Sequence, residues 1–533
     1  MITFKLCGNP AFQWKHKDNH YFTGYFFDDN NVFYDGENAL HFLLNFEEED
    51  SDIPKLNGIY TFIKNTLTGI VIITDTINYF PIFYLKQNED WIVSDNWDSL
   101  IAMKGGLTSN SEARQEFESI GFVLDNETLD HEIYKTRAGE KLVLNNDGTF
   151  KRISDYYFLP DNFLNDTFEN YRNSLLSELY DAGKRLIHFL DSRTALIPLS
   201  GGFDSRLIAC VLKKLGYGNV VCFTYGIKNR EEEISRKVAQ NLGFQWFFID
   251  YSEIDVETFL DDPQFQEYIR FVGNGYAMPY LQEYFAVNKL VKDKLIPENS
   301  VFLPGHVGDN IAGSYILKSV KTKIQNDNIY NNLIDNYFFF KKNNRNEKKQ
   351  LIKRIANTTR EYPLKNNYSA KYNPYIEDWC VKEKFSKFLF HSSKVFDFFG
   401  HKTYFLLWDQ KLVYFFRNLP YPMREHKLLY DKVAINEFFI KLNVYFQEAE
   451  IKVTPTAIKI QKLKNRIRDL FPWSYILKRM KKQDWMYYAA FTSTMENRLE
   501  KKGYQRLTKF KSYNAIICRW YLDFVGFLKF NRK

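Results

Sequence analysis

Apolar and polar positions divide this chain into two regimes. Up to about residue 155 the apolar residues gather in short β-branched and aromatic runs, VIITD (71–75), PIFYL (81–85) and WIVSD (91–95), bounded by Asn, Asp and Pro. Such runs predict strands joined by turns. Residues 138–153 (AGEKLVLNNDGTFKRI) alternate apolar and polar positions on each side of Asn-Asp-Gly, the pattern of a β-hairpin. Pro160 and four Asn or Asp residues break the pattern between Leu159 and Thr167. From Phe168 the apolar spacing becomes three and four. YRNSLLSELYDAGKRLIHFL (171–190) predicts a helix, followed by a strand (194–200), a helix (205–216), a strand (220–226), a helix (232–243) and a strand (245–250). Strands alternating with amphipathic helices predict a parallel α/β sheet. Beyond Ser252 the pattern is mainly helical, with one further strand before Gly305, and the Asn/Lys-rich run 341–350 reads as an exposed loop or helix end.

This pattern gives three parts: a layered β domain over 1–160, an α/β domain over 161–450, and a mostly helical extension over 451–533. The 533 residues are long for one domain, and 45% are hydrophobic, enough for sizeable cores. Charge sharpens the last boundary. The net charge is +7, yet residues 451–533 hold 20 Lys and Arg against 5 Asp and Glu, so the first 450 residues sum to about −8. That basic end reads as a solvated helical face, with a peripheral membrane-surface contact or another anionic partner as the alternative. Its Trp473, Trp485 and Trp520 read as parts of a helical cover. No nucleic-acid-binding motif accompanies it.

The five cysteines (Cys7, Cys210, Cys222, Cys380, Cys518) show no CxxC spacing, and their number is odd. This fits a reducing, cytoplasmic setting without a disulfide framework or zinc site. The first residues lack the basic and apolar regions of a signal peptide, and no run of 18 apolar residues predicts a membrane span.

Candidate chemistry concentrates at Leu199-Ser200-Gly201-Gly202-Phe203-Asp204-Ser205, between a buried strand and a helix. Two glycines let backbone amides approach an anion, and the helix start adds its positive dipole end. Ser200 and Ser205 offer hydroxyl donors. Asp204 would repel phosphate unless a Mg²⁺ sits between them. The loop lacks the lysine of the GxxxxGK[ST] loop. SGGxDS instead resembles the signature of ATP pyrophosphatases, which cleave between the α and β phosphates. Thr224, Tyr225 and Gly226 end the next strand, where backbone groups could meet adenine. Glu231–Glu233 begin a helix, the ordinary place for acidic residues. A second Gly-rich turn, Leu303-Pro304-Gly305-His306-Val307-Gly308-Asp309-Asn310, is followed by Gly313-Ser314-Tyr315; it offers Asp309 as the partner of Asp204 on a metal, and His306 reads as a polar loop residue.

Together these residues resemble the asparagine synthetase family, with its β-lactam synthetase and lasso-peptide cyclase relatives. Ser200–Ser205 matches SGGxDS in full, and Gly305–Tyr315 is similar to GxGxDE…GGY with Asn310 in place of Glu. Leu407-Trp408-Asp409 followed by Leu419-Pro420 is similar to PFLD…LP, and Lys427 in HKLLY is placed like the lysine of K-x-L-L-R. The resemblance implies that Lys427 contacts pyrophosphate as it leaves and that ATP and Mg²⁺ are used. Leu56–Phe62 resembles LxGxFAF and Asp75–Tyr84 resembles RDxxGxxPLYY, so the N-terminal part is similar to an Ntn-hydrolase glutaminase domain. Active members carry Cys directly after the initiator Met, since the free α-amine assists the thiol. Here position 2 is Ile, the RGPD and NGEIYN motifs are absent, and the amine of Cys7 in Cys7-Gly8 would be free only after removal of six residues. Glutamine hydrolysis is therefore not expected. The family's Glu seven residues before the Asp of PFLD falls on Lys402, which puts aspartate as the substrate in doubt.

The implied activity is amide formation through carboxylate adenylation. The acceptor would be aspartate, another small-molecule acid or a glycan carboxylate; the donor would be ammonia or an amine, on another molecule or on the same one. A non-catalytic ATP-binding role is the rival from another class. A homodimer is compatible with the resemblance.

Overall fold

The computed structural model describes residues 1–45, 56–154, 156–314, 327–359, 374–446, 473–507 and 510–528. Tyr315 and residues 451–472 of the basic segment lie outside the described residues. The fold is mixed α/β, with a layered N-terminal domain and a parallel C-terminal sheet flanked by helices.

The N-terminal strands are β1 (Ile2–Lys5), β2 (Lys15–Lys17), β3 (His20–Phe27), β4 (Phe33–Asp35), β5 (Asn57–Asn65), β6 (Gly69–Thr74), β7 (Phe83–Gln87), β8 (Asp90–Ser94), β9 (Ile133–Lys135), β10 (Glu140–Asn145) and β11 (Phe150–Ser154). One sheet runs β11-β10-β6-β5-β3-β2, with β4 on β3; the other runs β1-β8-β7-β9. The run at 70–73 shows why these strands are continuously apolar. Ile70 and Ile72 face the second sheet, with Ile82, Tyr84 and Val93. Val71 and Ile73 face the opposite way, onto the helix Gly36–Leu44 through Ala39, Leu40 and Leu43. Both faces are buried, so no polar alternation is needed. The hairpin at Asn-Asp-Gly forms with Glu140 opposite Ser154.

In the C-terminal part, β12 (Ala195–Pro198), β13 (Val220–Gly226), β14 (Gln245–Asp250), β15 (Val301–Phe302) and β16 (Lys402–Thr403) form one parallel sheet in the order β14-β13-β12-β15-β16. The helices Phe168–Leu190, Phe203–Lys214 and Arg230–Leu242 form where the apolar spacing places them. The fifth strand, β16, is absent from the sequence reading: Lys402–Thr403 is polar and follows Gly400-His401, so no apolar run marks it, as one marks the equally short β15. The run 341–350 is the start of a helix, Arg345–Thr358, with Asn344 and Glu347 closing a capping box.

Asp409, at the PFLD-like position, joins the two domains. It takes Arg185 through two bonds (2.7 and 2.8 Å), accepts Asn57 Nδ2 (2.8 Å) and caps the helix Gln410–Asn418 at Lys411 N. Both partners of the ion pair are buried. Removing either would strand a charge, at a cost of about 3–5 kcal/mol. Beyond residue 450 the helices Trp473–Lys482, Tyr488–Lys501 and Asn514–Phe524 are described, and their buried residues share the core of the α/β part. Phe491 stacks on Phe285 with ring centroids 4.2 Å apart, and Tyr521 accepts the Gly275 N–H. No described helix is long and apolar enough to cross a membrane.

Candidate active site

The site begins where β12 ends. Leu199 is buried and extends the sheet: its N–H donates to the Phe223 carbonyl, and its own carbonyl accepts the Thr224 hydroxyl (both 2.8 Å). The chain then turns through Ser200–Gly202 into the helix Phe203–Lys214. That helix has no side-chain cap at Gly202, so its positive end stays open toward the loop. The loop amides are held internally. Ser200 N–H donates to Ser205 Oγ and Gly202 N–H to Ser200 Oγ (both 3.1 Å), while Gly201 N–H donates to Glu231 Oε2 (2.9 Å). On the other side, buried Arg206 donates to the Gly201 carbonyl (2.6 Å) and the Val444 carbonyl (3.1 Å).

The second Gly-rich turn lies directly against this loop. A Cβ on Gly305 would sit 2.6 Å from Ser205 N, and one on Gly308 would sit 2.9 Å from the Asp204 carboxyl carbon. Only glycine permits that approach. Val307 between them holds φ +62°, a left-handed conformation that costs a β-branched residue about 1–3 kcal/mol. The turn delivers Asp309 to Asp204: the Asp309 N–H donates to Asp204 Oδ2 at 3.0 Å. Burial, and next the charge of Asp309, push the Asp204 carboxyl up to about 7. A buried carboxylate with a second aspartate beside it suits a hard, oxygen-seeking cation such as Mg²⁺. No group of three or more His, Cys, Asp or Glu ligands forms among the described residues. A Mg²⁺ here would take its remaining ligands from phosphate and water, as this ion commonly does.

Lys427 enters from a different segment. His426 and Lys427 both hold left-handed backbone (φ +56° and +57°). The Lys427 ammonium lies 5.3 Å from the ring centroid of Phe203, the first residue of the loop's helix, and pairs with Asp431 at 3.1 Å. Tyr430, three residues on, donates its hydroxyl to Asp204 Oδ1 at 2.6 Å. Asp204, Asp309, Lys427, Tyr430 and the loop thus share one locality.

Other candidates are placed differently. Thr224 spends its hydroxyl on Leu199 and accepts Trp246 Nε1 (3.0 Å). Tyr225 is buried and donates to Glu283 Oε1 (2.8 Å). Their side chains are spent inside the fold, and the backbone of Thr224, Tyr225 and Gly226 pairs with β14 at Phe248, Ile249 and Asp250. Gly226, at φ +114°, packs under Trp485, whose carbonyl accepts the Ile227 N–H at 2.7 Å. His306 lies 3.2 Å from Ser392 Oγ, and burial pulls its imidazole down to about 4, so it is neutral at pH 7. Lys402 turns to Asp35 of the N-terminal domain (3.5 Å), so its charge is no guide to the acid bound.

Glu283 carries a pH-dependent prediction. Its Oε2 has no hydrogen-bond partner, and burial pushes its carboxyl up to about 7. A folded-state value above the unfolded one means that the neutral form supports the fold. That support is full below about pH 4 and lost as pH rises through about 7. Glu283→Gln is expected to raise the melting temperature by about 2 °C at pH 8. Little change is expected at pH 4, and equal shifts in scanning fluorimetry at both pH values would show that charge is not involved.

In the N-terminal domain, Cys7 is not a free terminus. Its N–H and that of Gly8 donate to the Asp95 carboxylate (2.7 and 2.8 Å). The residues before it form β1, in parallel register with β8, and the Met1 ammonium pairs with Asp90. Freeing the Cys7 amine would strip an edge strand from the sheet.

Sequence reasoning missed Tyr430, Arg206 and the reach of Glu231. Arg206 had a signal, a lone cation directly before the apolar run LIACVL (207–212); Tyr430 had only its place three residues after Lys427.

A family model described as asparagine synthase matches residues 187–514. The asparagine synthetase [glutamine-hydrolyzing] 1 of Bacillus subtilis (strain 168) is 26% identical over 203 residues, 36% of this chain and 30% of that protein. The match therefore spans less than a third of that relative's length.

Proposed function

The chain belongs to the asparagine synthase family, and from that premise we propose that it is an ATP-dependent ligase joining a carboxylate to a nitrogen nucleophile through an acyl-adenylate. The observation that supports this most is the meeting of Asp204 and Asp309 beside the Ser200–Ser205 loop (Asp309 N to Asp204 Oδ2, 3.0 Å). Asp204 and Asp309 would hold Mg²⁺, which supplies neutralisation of phosphate charge when bound. The loop amides, the Ser200 and Ser205 hydroxyls and the helix end bind the polyphosphate. Gly305 and Gly308 keep the two turns in contact, and backbone at Thr224–Gly226 faces the nucleobase.

In the first step a carboxylate oxygen of the acceptor acid attacks the α-phosphorus. The bond from that phosphorus to the bridging oxygen breaks, and pyrophosphate leaves beside Lys427, whose ammonium stabilises the departing charge. In the second step the nitrogen attacks the acyl carbon, AMP departs, and the nitrogen loses a proton. The site's contribution is positioning and charge stabilisation. The acceptor is a small-molecule or glycan carboxylate and the donor is ammonia or an amine. With an acid carrying ¹⁸O in its carboxylate, one labelled oxygen should appear in AMP; unlabelled AMP alongside amide product would rule out the adenylate.

The N-terminal domain is read as lacking glutaminase activity, supported by Ile2 and by the peptide-bonded Cys7 amide on Asp95. Glutamine is expected not to replace ammonia, and Cys7→Ser is expected to keep the ammonia-dependent rate within about twofold. Glutamine-supported turnover that Cys7→Ser abolishes would overturn this reading.

A further inference from the structure

Three consecutive amides of the Ser200–Ser205 loop are engaged by side chains of the protein itself. Two are held by neutral hydroxyls, Ser200 N–H by Ser205 Oγ and Gly202 N–H by Ser200 Oγ. A hydroxyl can rotate and donate to an arriving phosphate oxygen. The third is different: Gly201 N–H is held by a carboxylate, Glu231 Oε2, at 2.9 Å. A carboxylate oxygen and a phosphate oxygen want the same donor, so they compete for it.

Glu231 is singled out among its neighbours. It shares the first turn of the helix Arg230–Leu242 with Glu232 and Glu233. Those two stay on their own helix, paired with Arg236 (3.8 Å) and Lys237 (2.7 Å). Glu231 alone crosses to the loop. The carboxylate lies close against Gly201: a Cβ there would sit 3.3 Å from the same oxygen. The next peptide, Gly201–Gly202, is held by Arg206, which donates to the Gly201 carbonyl at 2.6 Å. The loop therefore holds an anion of the protein's own on an amide that a phosphate oxygen could also use.

We propose that Glu231 is a resident anion of the phosphate loop: its carboxylate keeps the Gly201 amide aimed for binding and yields that amide to the incoming polyphosphate. This rests on the reading of the loop as a polyphosphate site. Binding must break one charge-assisted hydrogen bond and push a negative charge aside. Glu231 thereby weakens the hold on polyphosphate, and lets pyrophosphate leave more readily than an empty loop would.

The test is calorimetric titration of the full chain with Mg·pyrophosphate, using wild type, Glu231→Gln and Glu231→Ala, with hydrogen exchange read on the peptide containing Gly201. Glu231→Ala should bind about tenfold tighter, and Glu231→Gln, still an acceptor but uncharged, should fall between. The Gly201 peptide should exchange faster in free Glu231→Ala than in free wild type, and equally once pyrophosphate is bound. Equal or weaker binding by Glu231→Ala, with wild-type binding intact, would overturn the resident anion and make Glu231 a partner of the ligand. Absence of binding by wild type and variants alike would overturn the underlying reading of the loop, and the proposal with it.

Discussion

Asp204→Asn is expected to lower carboxylate-dependent AMP release by about a thousandfold while leaving the protein folded. The side chain sits where three elements meet: the loop's helix, the turn carrying Gly308 and the Asp309 amide, and the segment carrying the Tyr430 hydroxyl. Asparagine matches its shape and keeps an oxygen that accepts from Asp309 N or Tyr430. What it loses is the charge that would hold a cation against the phosphates. The free protein should not suffer, because that carboxylate is already disfavoured by burial and by Asp309. Steady-state AMP release under a Mg²⁺ titration, with melting curves, checks both parts. Wild-type AMP release with Asp204→Asn would remove the carboxylate pair from the chemistry.

Lys427→Met should reduce kcat by about a hundredfold or more and change KM for ATP by less than about threefold. Charge on the bridging oxygen grows as pyrophosphate leaves, so an ammonium near it gains most in the transition state. The side chain is set for this by two left-handed residues, His426 and Lys427, which keep the ammonium near Phe203 at the helix start. Methionine preserves length and packing. Lys427→Arg should recover part of the rate. A large rise in KM with unchanged kcat would instead mark Lys427 as a ground-state phosphate contact.

Much of this arrangement was legible in the sequence because local patterns carried it. β13 and β14 fall where the apolar runs place them, and the loop stands between β12 and its helix as its glycines and serines suggest. The meeting of Asp204 with Asp309, 105 residues apart, was inferred from two Gly-rich turns that each follow a strand, and the parallel sheet places β12 beside β15. What local pattern could not carry is long-range pairing. Tyr430 lies 226 residues from Asp204, and nothing in HKLLY says which way its hydroxyl points. Glu231 reads locally as a complement to a helix dipole, and only the packing of that helix against the loop turns it toward Gly201. Lys402 shows the opposite failure: counted by spacing as a substrate neighbour, it pairs with Asp35 across the domain boundary.

The central claim is carboxylate activation by ATP at the Ser200–Ser205 loop. Its most direct measurement is nucleotide product analysis with Mg·ATP, ammonia and a panel of acids, aspartate and sugar acids included. AMP and pyrophosphate formed in equal amounts, dependent on one acid and abolished by Asp204→Asn, is the predicted result. ADP and phosphate as the products, or acid-dependent AMP that survives Asp204→Asn unchanged, would contradict it.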